Sequence, residues 1–342
     1  MSKTTRILLI YTGGTIGMVM EYQTGALKPF NFNKLVEQIP ELSQLDCTIH
    51  SVSFKRPLDS SNMNPTHWIQ IAEIIEKYYE EYDGFVVLHG SDTMSYTSSA
   101  LSYMLENLGK PVIFTGSQLP IGDLRTDAKE NLITSIHIAG MQKRNRPLIR
   151  EVCLYFEYKL YRANRTTKVN AEHFEAFMSP NYPPLAESGV HIKVNEEDLW
   201  EPAKKRNFTV HKKLDDRVAI FKLFPGFNEQ LLKGILRIPD LKAVILETYG
   251  AGNAPTDQWF IDELSNAKKR GLHIVNVTQC SGGGVNMGRY ETSASLRRLQ
   301  IINGSDITTE GAITKLMYLL GREISPTSFK TVFETSIRGE MS

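Results

Sequence analysis

The sequence predicts an α/β fold, with a doubly wound, mostly parallel sheet in a larger N-terminal domain and a smaller α/β domain at the C-terminal end. Short apolar runs alternate with amphipathic stretches along the N-terminal two-thirds of the chain. Strands that are apolar throughout are typical of parallel sheets covered on both faces. Alternation of strand and helix predicts right-handed βαβ units. A length of 342 residues is sufficient for two such domains.

Four strands and three helices are predicted in the N-terminal domain. The clearest helix begins at Asn64, a residue type that caps helix N-termini, followed by Pro65, which is favoured in the first turn. Apolar and aromatic side chains then recur at helical spacing from Trp68 to Tyr82. The other two helices are expected at residues 94–108 and 128–141, and the strands at residues 6–12, 85–89, 111–115 and 152–156.

The alternating pattern breaks between residues 186 and 215, where the sequence is polar and carries a charged cluster at residues 204–206. We therefore predict an N-terminal domain at residues 1–205, a linker at 206–215 and a C-terminal domain at 216–342. The C-terminal domain is expected to contain strands at residues 218–223, 243–247 and 274–278 and helices at residues 228–237, 257–270 and 309–320.

Composition limits the classes of function. Lysine and arginine total 39 and aspartate and glutamate 38, a formal net charge of +1, whereas nucleic-acid-binding proteins usually carry a larger or more clustered basic excess. No apolar run approaches the ~18 residues of a membrane-spanning helix. Three cysteines without a CxxC pair argue against a disulfide framework and a thiolate metal site. Since no signal peptide is recognisable, we expect a cytoplasmic protein without membrane or nucleic-acid partners.

The common cofactor and metal motifs are not matched. Residues 12–17 (TGGTIG) follow a predicted strand, but their glycines lack the spacing of a dinucleotide-binding loop and no P-loop lysine follows. The glycine-rich segments 250–255 and 281–284 also lack the required spacing. The GxSxG nucleophile motif and the HExxH zinc motif are absent. Motifs therefore give little support to a nucleotide cofactor or a catalytic metal.

Hydroxyl groups are concentrated where the predicted strands end. In α/β sheets the carboxyl ends of parallel strands build the functional site. A hydroxyl becomes a nucleophile only when a neighbouring group takes its proton, and a lysine with a lowered pKa can do this. Glycines beside the hydroxyls let backbone N–H groups approach an oxyanion. The candidate residues at these strand ends are Thr15, Ser60, Ser61, Ser91, Asp92 and Lys168.

Each candidate also has a structural explanation when it is taken alone. Thr15 after two glycines is typical of a helix N-cap, and residues 91–93 are equally typical of a capping box. Lys168 alone is typical of a solvated surface lysine. His89 fits a structural hydrogen-bond donor better than a catalytic base. The catalytic interpretation therefore depends on the occurrence of all these groups at the strand ends.

Two segments resemble the signature motifs of the bacterial-type L-asparaginases: residues 11–18 (YTGGTIGM) and residues 85–94 (FVVLHGSDTM). The resemblance spans nearly the whole chain and is strongest to the cytoplasmic, type I branch. It implies hydrolysis of L-asparagine to L-aspartate and ammonia with no cofactor and no metal, by a homodimer or homotetramer. The supporting segments are residues 59–63 (DSSNM), 109–112 (GKPV), 115–118 (TGSQ), 161–168 (YRANRTTK), 249–255 (YGAGNAP) and 278–280 (TQC).

The resemblance implies catalytic roles at matching positions. Thr15 matches the nucleophile of the first motif, whereas Ser91, Asp92 and Lys168 match a helper triad. Backbone N–H groups near Gly14 and Ser91 would stabilise the oxyanion of an acyl-enzyme pathway. The reverse division, with Ser91 as the nucleophile and Thr15 as the helper, stays open.

The resemblance also implies substrate-binding residues. Ser60 and Ser61 match the loop that binds the α-carboxylate, and Asp92 matches the ligand of the α-ammonium group. Asn253 matches a residue that reaches the site of a neighbouring subunit. Residues 18–30, which contain a glycine and a proline, are a candidate lid that orders when substrate binds.

The chain departs from the family pattern at three places. The family usually has threonine at the position of Ser91, so we expect weaker positioning of this hydroxyl without loss of chemistry. The family's activating loop tyrosine aligns near Ala26, which leaves Tyr22 and Tyr290 as the candidate activators. Members regulated by a second asparagine carry an arginine where this chain has Glu247. Because a carboxylate repels the substrate's carboxylate, we predict that such regulation is absent or altered.

Two other classes of function fit part of the sequence. An amidotransferase subunit acting on a tRNA-linked amide would need an added N-terminal module and a basic docking face, and this nearly neutral chain begins at its first predicted strand. A non-catalytic amino-acid sensor would keep the pocket and lose the chemistry, which Ser91 and Ala26 permit. Thr15, Asp92 and Lys168 argue for the enzyme instead.

Overall fold

A computed structural model describes residues 4–20, 27–29, 39–202, 206–288 and 291–342 of the chain. The chain forms two compact units, Met1–Lys212 and Lys213–Ser342. Both units contain strands and helices, so the predicted α/β class is confirmed. The division between the units falls inside residues 206–215, and the limits of the predicted domains and linker stay predictions.

The first unit contains an eight-stranded sheet in the order β15-β14-β11-β10-β7-β5-β1-β4. Within its described residues the α-helices are α1 (Pro65–Tyr78), α2 (Met94–Met104) and α3 (Ala128–Gly140). The strands of the unit are β1 (Thr5–Gly13), β2 (Met18–Met20), β3 (Leu27–Pro29), β4 (Cys47–Leu58), β5 (Gly84–Leu88), β6 (Leu105–Glu106), β7 (Val112–Thr115), β8 (Gln142–Lys143), β9 (Arg146–Pro147), β10 (Val152–Phe156), β11 (Lys159–Arg162), β12 (Thr167–Lys168), β13 (Phe177–Met178), β14 (Ala186–Ser188), β15 (Ile192–Val194) and β16 (Thr209–Val210).

The order of the parallel strands reverses at β1, so that strands are added on both of its edges. Strand β4 pairs with one edge of β1, whereas β5, β7 and β10 extend the sheet from the other edge, all in parallel. Strands β11, β14 and β15 continue the sheet in antiparallel fashion. The carboxyl ends on either side of such a switch point form the crevice in which α/β proteins bind ligands. The loops after β1, β4 and β5 meet at this switch point.

Both faces of the central strands are buried, which explains their continuous apolar sequence. Ile7 and Leu9 of β1 share a core with Leu132 and Ile136 of α3. The alternate residue Leu8 points to the other face and is only 2% exposed. The doubly wound arrangement predicted from the apolar runs is therefore confirmed for this sheet.

Two predictions for the first unit were incomplete or wrong. The long edge strand β4 was not predicted, because most of its side chains are exposed or half-buried and its sequence lacks an apolar run. The helix predicted at residues 94–108 ends at Met104. Leu105 pairs instead with Val210 in a two-stranded ladder, which uses the backbone groups that a longer helix would need. Helix α1 has the predicted cap, with the Asn64 side chain accepting a hydrogen bond from the backbone N–H of Thr66.

The second unit contains a four-stranded parallel sheet in the order β17-β18-β19-β20. The predicted strands and helices of this unit are found within one residue of their expected limits, and β20, α6 and α8 were not predicted. The strands are β17 (Val218–Lys222), β18 (Ala243–Thr248), β19 (His273–Thr278) and β20 (Ile302–Asn303). The helices are α4 (Glu229–Leu236), α5 (Gln258–Lys269), α6 (Glu291–Arg298), α7 (Thr309–Gly321) and α8 (Pro326–Phe333).

Candidate active site

Three loops at the carboxyl ends of β1, β4 and β5 pack backbone against backbone. Gly14, after β1, has a φ of +88°, a conformation that residues with a side chain rarely adopt. A Cβ atom on Gly14 would lie 2.4 Å from the backbone nitrogen of Gly90 in the loop after β5. A Cβ atom on Gly90 would in turn lie 2.5 Å from Oγ of Ser60 in the loop after β4. The glycines therefore allow the close approach that brings the three loops together.

Thr15 begins a short 3₁₀ turn, Thr15–Gly17, directly after β1. The Tyr11 hydroxyl donates a hydrogen bond to the carbonyl oxygen of Gly17 at 3.2 Å. Burial raises the pKa of Tyr11 to about 12, so this phenol stays protonated as a donor. The Thr15 side chain is half-buried, and its hydroxyl makes no hydrogen bond within the described residues. It is therefore available to a ligand.

Ser91, Asp92 and Lys168 lie in direct contact, as the sequence interpretation requires. Lys168 Nζ donates hydrogen bonds to Ser91 Oγ at 2.9 Å and to Asp92 Oδ1 at 2.6 Å. The Lys168 side chain is 17% exposed, whereas that of Asp92 is 65% exposed. The lysine is therefore largely enclosed, and the carboxylate stands at the solvent edge of the cluster.

A small hairpin holds Lys168 in place. Strand β12, which contains Lys168, pairs with β13, so that Lys168 lies opposite Phe177. The preceding 3₁₀ turn, Ala163–Arg165, packs against α2. Thr166 ties this turn to the helix, since its hydroxyl donates to the carbonyl oxygen of Ala163 at 2.7 Å and contacts Ser95 Oγ at 3.2 Å. The lysine thus projects from a buried, hydrogen-bonded support.

Gln118 is a polar member of the cluster that was not assigned from the sequence. The Ser91 hydroxyl donates a hydrogen bond to Gln118 Oε1 at 3.1 Å. Gln118 Nε2 donates to the carbonyl oxygens of Ala171 and His173, both at 3.1 Å. The position of Gln118 at the carboxyl end of β7 was the sequence signal that pointed to it. Gln118 therefore connects Ser91 to the hairpin that carries Lys168.

A buried carboxylate fixes the backbone around Gln118. Asp127 accepts hydrogen bonds from the backbone N–H of Gln118 at 2.9 Å and from that of Leu119 at 3.1 Å. Burial raises the pKa of Asp127, and the hydrogen bonds from these N–H groups partly offset that rise. Asn131 reinforces the loop, because its side-chain amide donates to the carbonyl oxygen of Gly116 at 3.0 Å.

Ser60 and Ser61 lie in the 3₁₀ turn Ser60–Asn62 after β4. Asp59 caps this turn, since its Oδ1 accepts hydrogen bonds from the Ser61 backbone N–H at 2.9 Å and from the Ser61 hydroxyl at 2.7 Å. These hydrogen bonds lower the pKa of Asp59, so its charge is stabilised. The Thr93 hydroxyl donates to the carbonyl oxygen of Ser60 at 2.7 Å, which joins the loop after β4 to the loop after β5.

His89 is a structural residue in this loop. Its ring is fully buried, and Nδ1 lies 2.7 Å from the carbonyl oxygen of Gly90, to which it donates. Burial lowers the pKa of His89 to about 4, so the imidazole is neutral at physiological pH. This geometry agrees with the role expected from the sequence.

Three predicted site residues lie outside the part of the first unit that the structure describes. Tyr22 and Tyr290 lie outside the described residues, as does part of the predicted lid at residues 18–30. Asn253 belongs to the second unit, where its backbone exchanges hydrogen bonds with Tyr249 at 2.8 and 2.9 Å. Their roles, like those of the clustered residues, stay predictions.

Glu247 lies at the end of β18 in the second unit. Its Oε1 accepts a hydrogen bond from the Thr309 hydroxyl at 2.6 Å, and its Oε2 lies 3.7 Å from Lys222 Nζ.

Across the described ranges, no group of three or more histidine, cysteine, aspartate or glutamate side chains is arranged to hold a metal ion. None of the helices in those ranges is both long and apolar enough to cross a membrane.

The chain matches two family models and several known proteins. Residues 6–200 match the model described as "Asparaginase, N-terminal" and residues 217–333 match "Glutaminase/Asparaginase C-terminal domain". L-asparaginase 1 of Escherichia coli (strain K12) is 43% identical over 98% of both chains. The 60 kDa lysophospholipase of Mus musculus is 40% identical over 98% of this chain and 62% of its own length. The crystal structure of L-asparaginase I from Vibrio cholerae has a TM-score of 0.90 at 39% identity and covers 99% of this chain and 100% of its own.

Proposed function

The chain belongs to the asparaginase family of hydrolases, and we propose that it converts L-asparagine to L-aspartate and ammonia. The single observation that carries this proposal is the contact of Lys168 with Ser91 and Asp92. Ser91 and Asp92 belong to the loop after β5, which packs against the Thr15 loop where Gly14 meets Gly90. The relative named as an L-asparaginase aligns with 98% of its own length, whereas the one named as a lysophospholipase extends well beyond the match.

Charged and polar groups on the three loops would orient the substrate. Ser60, Ser61 and neighbouring N–H groups are proposed to bind the α-carboxylate, and Asp92 the α-ammonium group. Asp92 suits this role because Lys168 uses only Oδ1 and the carboxylate is 65% exposed. A charge-assisted hydrogen bond at each end of the amino acid would distinguish asparagine from amides that lack these groups.

In the proposed reaction the Thr15 hydroxyl attacks the side-chain amide carbon. The tetrahedral oxyanion needs two N–H donors, and the N–H of Gly14 is already bound to the carbonyl oxygen of Leu58 at 3.1 Å. The contribution of Gly14 is therefore its lack of a side chain, which lets the loop approach Gly90. We assign one oxyanion donor to the N–H of Thr15 and the second to the N–H of Ser91. The proton of the Thr15 hydroxyl passes to the amide nitrogen, ammonia leaves, and an aspartyl ester on Thr15 remains.

Water then releases aspartate from the ester, and the cluster around Ser91 assists. As water attacks the ester carbon, its proton passes to Ser91 Oγ and the serine's own proton passes to the Thr15 oxygen that leaves the ester. Donation from Lys168 Nζ to Ser91 Oγ stabilises the negative charge that develops on the serine oxygen during this transfer. The enclosed position of Lys168 strengthens this effect, because water screens it poorly. The same contact would also activate Ser91 as the nucleophile, so the reverse division of roles is the competing mechanism.

The enzyme assay that tests the function measures ammonia release from L-asparagine, L-glutamine and D-asparagine over micromolar to millimolar concentrations. We expect hyperbolic turnover of L-asparagine that requires Thr15 and Lys168. Binding of asparagine without ammonia release at any concentration would contradict the proposal and support a non-catalytic sensor. Turnover by Thr15→Ala at the wild-type rate would contradict the assignment of the nucleophile.

Trapping the ester separates the two mechanisms. If Thr15 is the nucleophile, a Ser91→Ala variant mixed with asparagine and quenched should carry a covalent aspartyl group at Thr15, whereas Thr15→Ala should carry none. An aspartyl group at Ser91 in the Thr15→Ala variant would establish the reverse division. Intact mass and peptide mapping of the quenched proteins distinguish these results.

We further propose that the enzyme acts in the cytoplasm as a homodimer or homotetramer. The proposal is supported by similarity to the type I branch of the family. Regulation by a second asparagine molecule is proposed to be absent or altered, because the Glu247 side chain would repel a substrate carboxylate. Sigmoidal dependence of ammonia release on asparagine concentration would contradict this last proposal.

A further inference from the structure

A basic cavity of about 530 Å³ lies in the first unit, away from the candidate active site. It borders the hairpin formed by β8 and β9 and the segment that leads into the amino end of β10. The candidate active site is at the carboxyl ends of the same sheet. We propose that this cavity binds a small molecule that carries phosphate groups. Its lining residues are Lys143, Arg144, Arg146, Pro147, Leu148, Arg150, Glu196, Leu199 and Glu201.

The basic cavity has more positive charge than its own carboxylates neutralise. Lys143 forms an ion pair with Glu196, and Arg150 Nη2 lies 3.5 Å from Glu201 Oε1. These two pairs use both carboxylates of the lining. In the part of the chain that the structure describes, the other two cations, at positions 144 and 146, have no ion-pair partner. Two guanidinium groups are therefore available to an anion.

The hairpin turn places Arg144 at a cost in backbone conformation. Lys143 pairs with Arg146, which leaves Arg144 and Asn145 as the two turn residues. Both have positive φ, +54° and +61° respectively. Asparagine adopts this conformation readily, whereas arginine does so at a cost in free energy that glycine would avoid. Unfavourable backbone conformations persist most often where the side chain has a function.

A buried ion pair anchors a second segment of the cavity lining. Arg162 Nε donates to Glu151 Oε2 at 2.7 Å, and both side chains are at most 6% exposed. Glu151 Oε1 accepts a hydrogen bond from the backbone N–H of Trp200 at 2.6 Å, and Arg162 Nη2 donates to the carbonyl oxygen of Asp198 at 2.8 Å. The segment that carries Glu196, Leu199 and Glu201 is therefore held in place before any ligand binds.

The chemistry of the lining selects the class of ligand. Planar guanidinium groups bind phosphate oxygens with two parallel hydrogen bonds, so two arginines match two linked phosphates. Pro147, Leu148 and Leu199 add an apolar surface that suits the organic part of a molecule. The volume of about 530 Å³ is that of a typical small-molecule site. A nucleoside diphosphate and free pyrophosphate share this chemistry, and the measurement below distinguishes them.

Isothermal titration calorimetry of the full chain with ADP, pyrophosphate and adenosine tests the proposal. We expect ADP and pyrophosphate to bind and adenosine not to bind. Tighter binding of ADP than of pyrophosphate would assign a role to the apolar wall, and equal binding would assign the whole affinity to the phosphates. Binding of adenosine as tight as that of ADP, or no binding of either phosphate ligand at millimolar concentration, would overturn the proposal.

Paired charge-removing variants test the location of the site. Arg144→Gln/Arg146→Gln should weaken binding by about tenfold or more, because both unpaired cations are lost. Lys159→Gln/Lys193→Gln removes the same charge from exposed strand positions outside the cavity and should bind like the wild type. Equal affinity of the two double variants would overturn the assignment. Ammonia release without added ligand should be unchanged in both, which shows that each variant is folded.

Discussion

Lys168→Met is the change that most directly probes the proposed chemistry. The substitution removes the ammonium group and keeps most of the apolar stem of the side chain. The ion pair with Asp92 is worth only ~0–1 kcal/mol, because the carboxylate is 65% exposed and water screens it. The contact with Ser91 is partly enclosed, and a hydrogen bond from a charged donor is worth ~1.5–3 kcal/mol. The kinetic effect should therefore come mainly from Ser91.

The expected magnitude follows from the role of this contact in proton transfer. A loss of ~1.5–3 kcal/mol corresponds to a decrease in kcat of about 10- to 150-fold. If acid–base assistance is lost as well, kcat should decrease ~10²- to 10⁴-fold. The KM for asparagine should change only a few fold, because Asp92 and the turn at Ser60 remain. The free energy of unfolding should fall by no more than ~1.5–3 kcal/mol, the contribution of the lost hydrogen bond, because the retained stem preserves the packing.

A continuous coupled assay of ammonia release gives kcat and KM, and urea unfolding gives the stability. Lys159→Met is the matched control, since Lys159 is an exposed lysine on β11 and should tolerate the change. A folded Lys168→Met enzyme with kcat within threefold of the wild type would refute the relay argument. A large loss of stability together with activity would instead assign Lys168 a structural role.

Three further changes test the surroundings of the site. Gln118→Leu removes the acceptor of the Ser91 hydroxyl and should lower kcat about tenfold with little change in stability, which steady-state kinetics and urea unfolding would check. Burial and neighbouring carboxylates raise the pKa of Glu157 from 4.5 to about 7, so the folded protein retains a proton that the unfolded chain has released, and stability falls as the pH rises from 4.5 to 7. Urea unfolding should show Glu157→Gln more stable than the wild type by ~1 kcal/mol at pH 8 and equal to it at pH 4, whereas equal stability at both would count against the shift. Gly14→Ala should cost ~2 kcal/mol or more, since its Cβ would lie 2.4 Å from a backbone nitrogen, whereas Gly140→Ala, with no atom within 4 Å, should be neutral in the same urea measurement.

The sequence was sufficient for the central strands and for the helices with clear start signals. Strands buried on both faces must be apolar throughout, so β1, β5, β7 and β10 could be recognised one by one. The start of α1 was predictable because Asn64 and Pro65 satisfy local rules for the first turn. These features depend on neighbours in the sequence and on burial alone.

The sequence was insufficient where a distant segment decided the local structure. Residues 105–108 have a helical pattern, but Leu105 and Glu106 form a ladder with a strand about 100 residues later in the chain. Strand β4 is recognisable only from its pairing with β1, since its side chains follow no buried pattern. Backbone hydrogen bonds between distant segments outweigh weak local preferences. The pairing partner of a strand cannot be identified from the few residues around it.

By itself, the sequence determined the α/β class, the inventory of hydroxyl, lysine and carboxylate groups at the strand ends, and the glycines beside them. Only the tertiary structure decided that Lys168 contacts Asp92, from which it is 76 residues distant, and that Gln118 joins them. The order of the parallel strands is the reason, because it brings the carboxyl ends of separate βαβ units to one edge of the sheet. Distances at that edge depend on packing between loops, which no single segment of the sequence encodes.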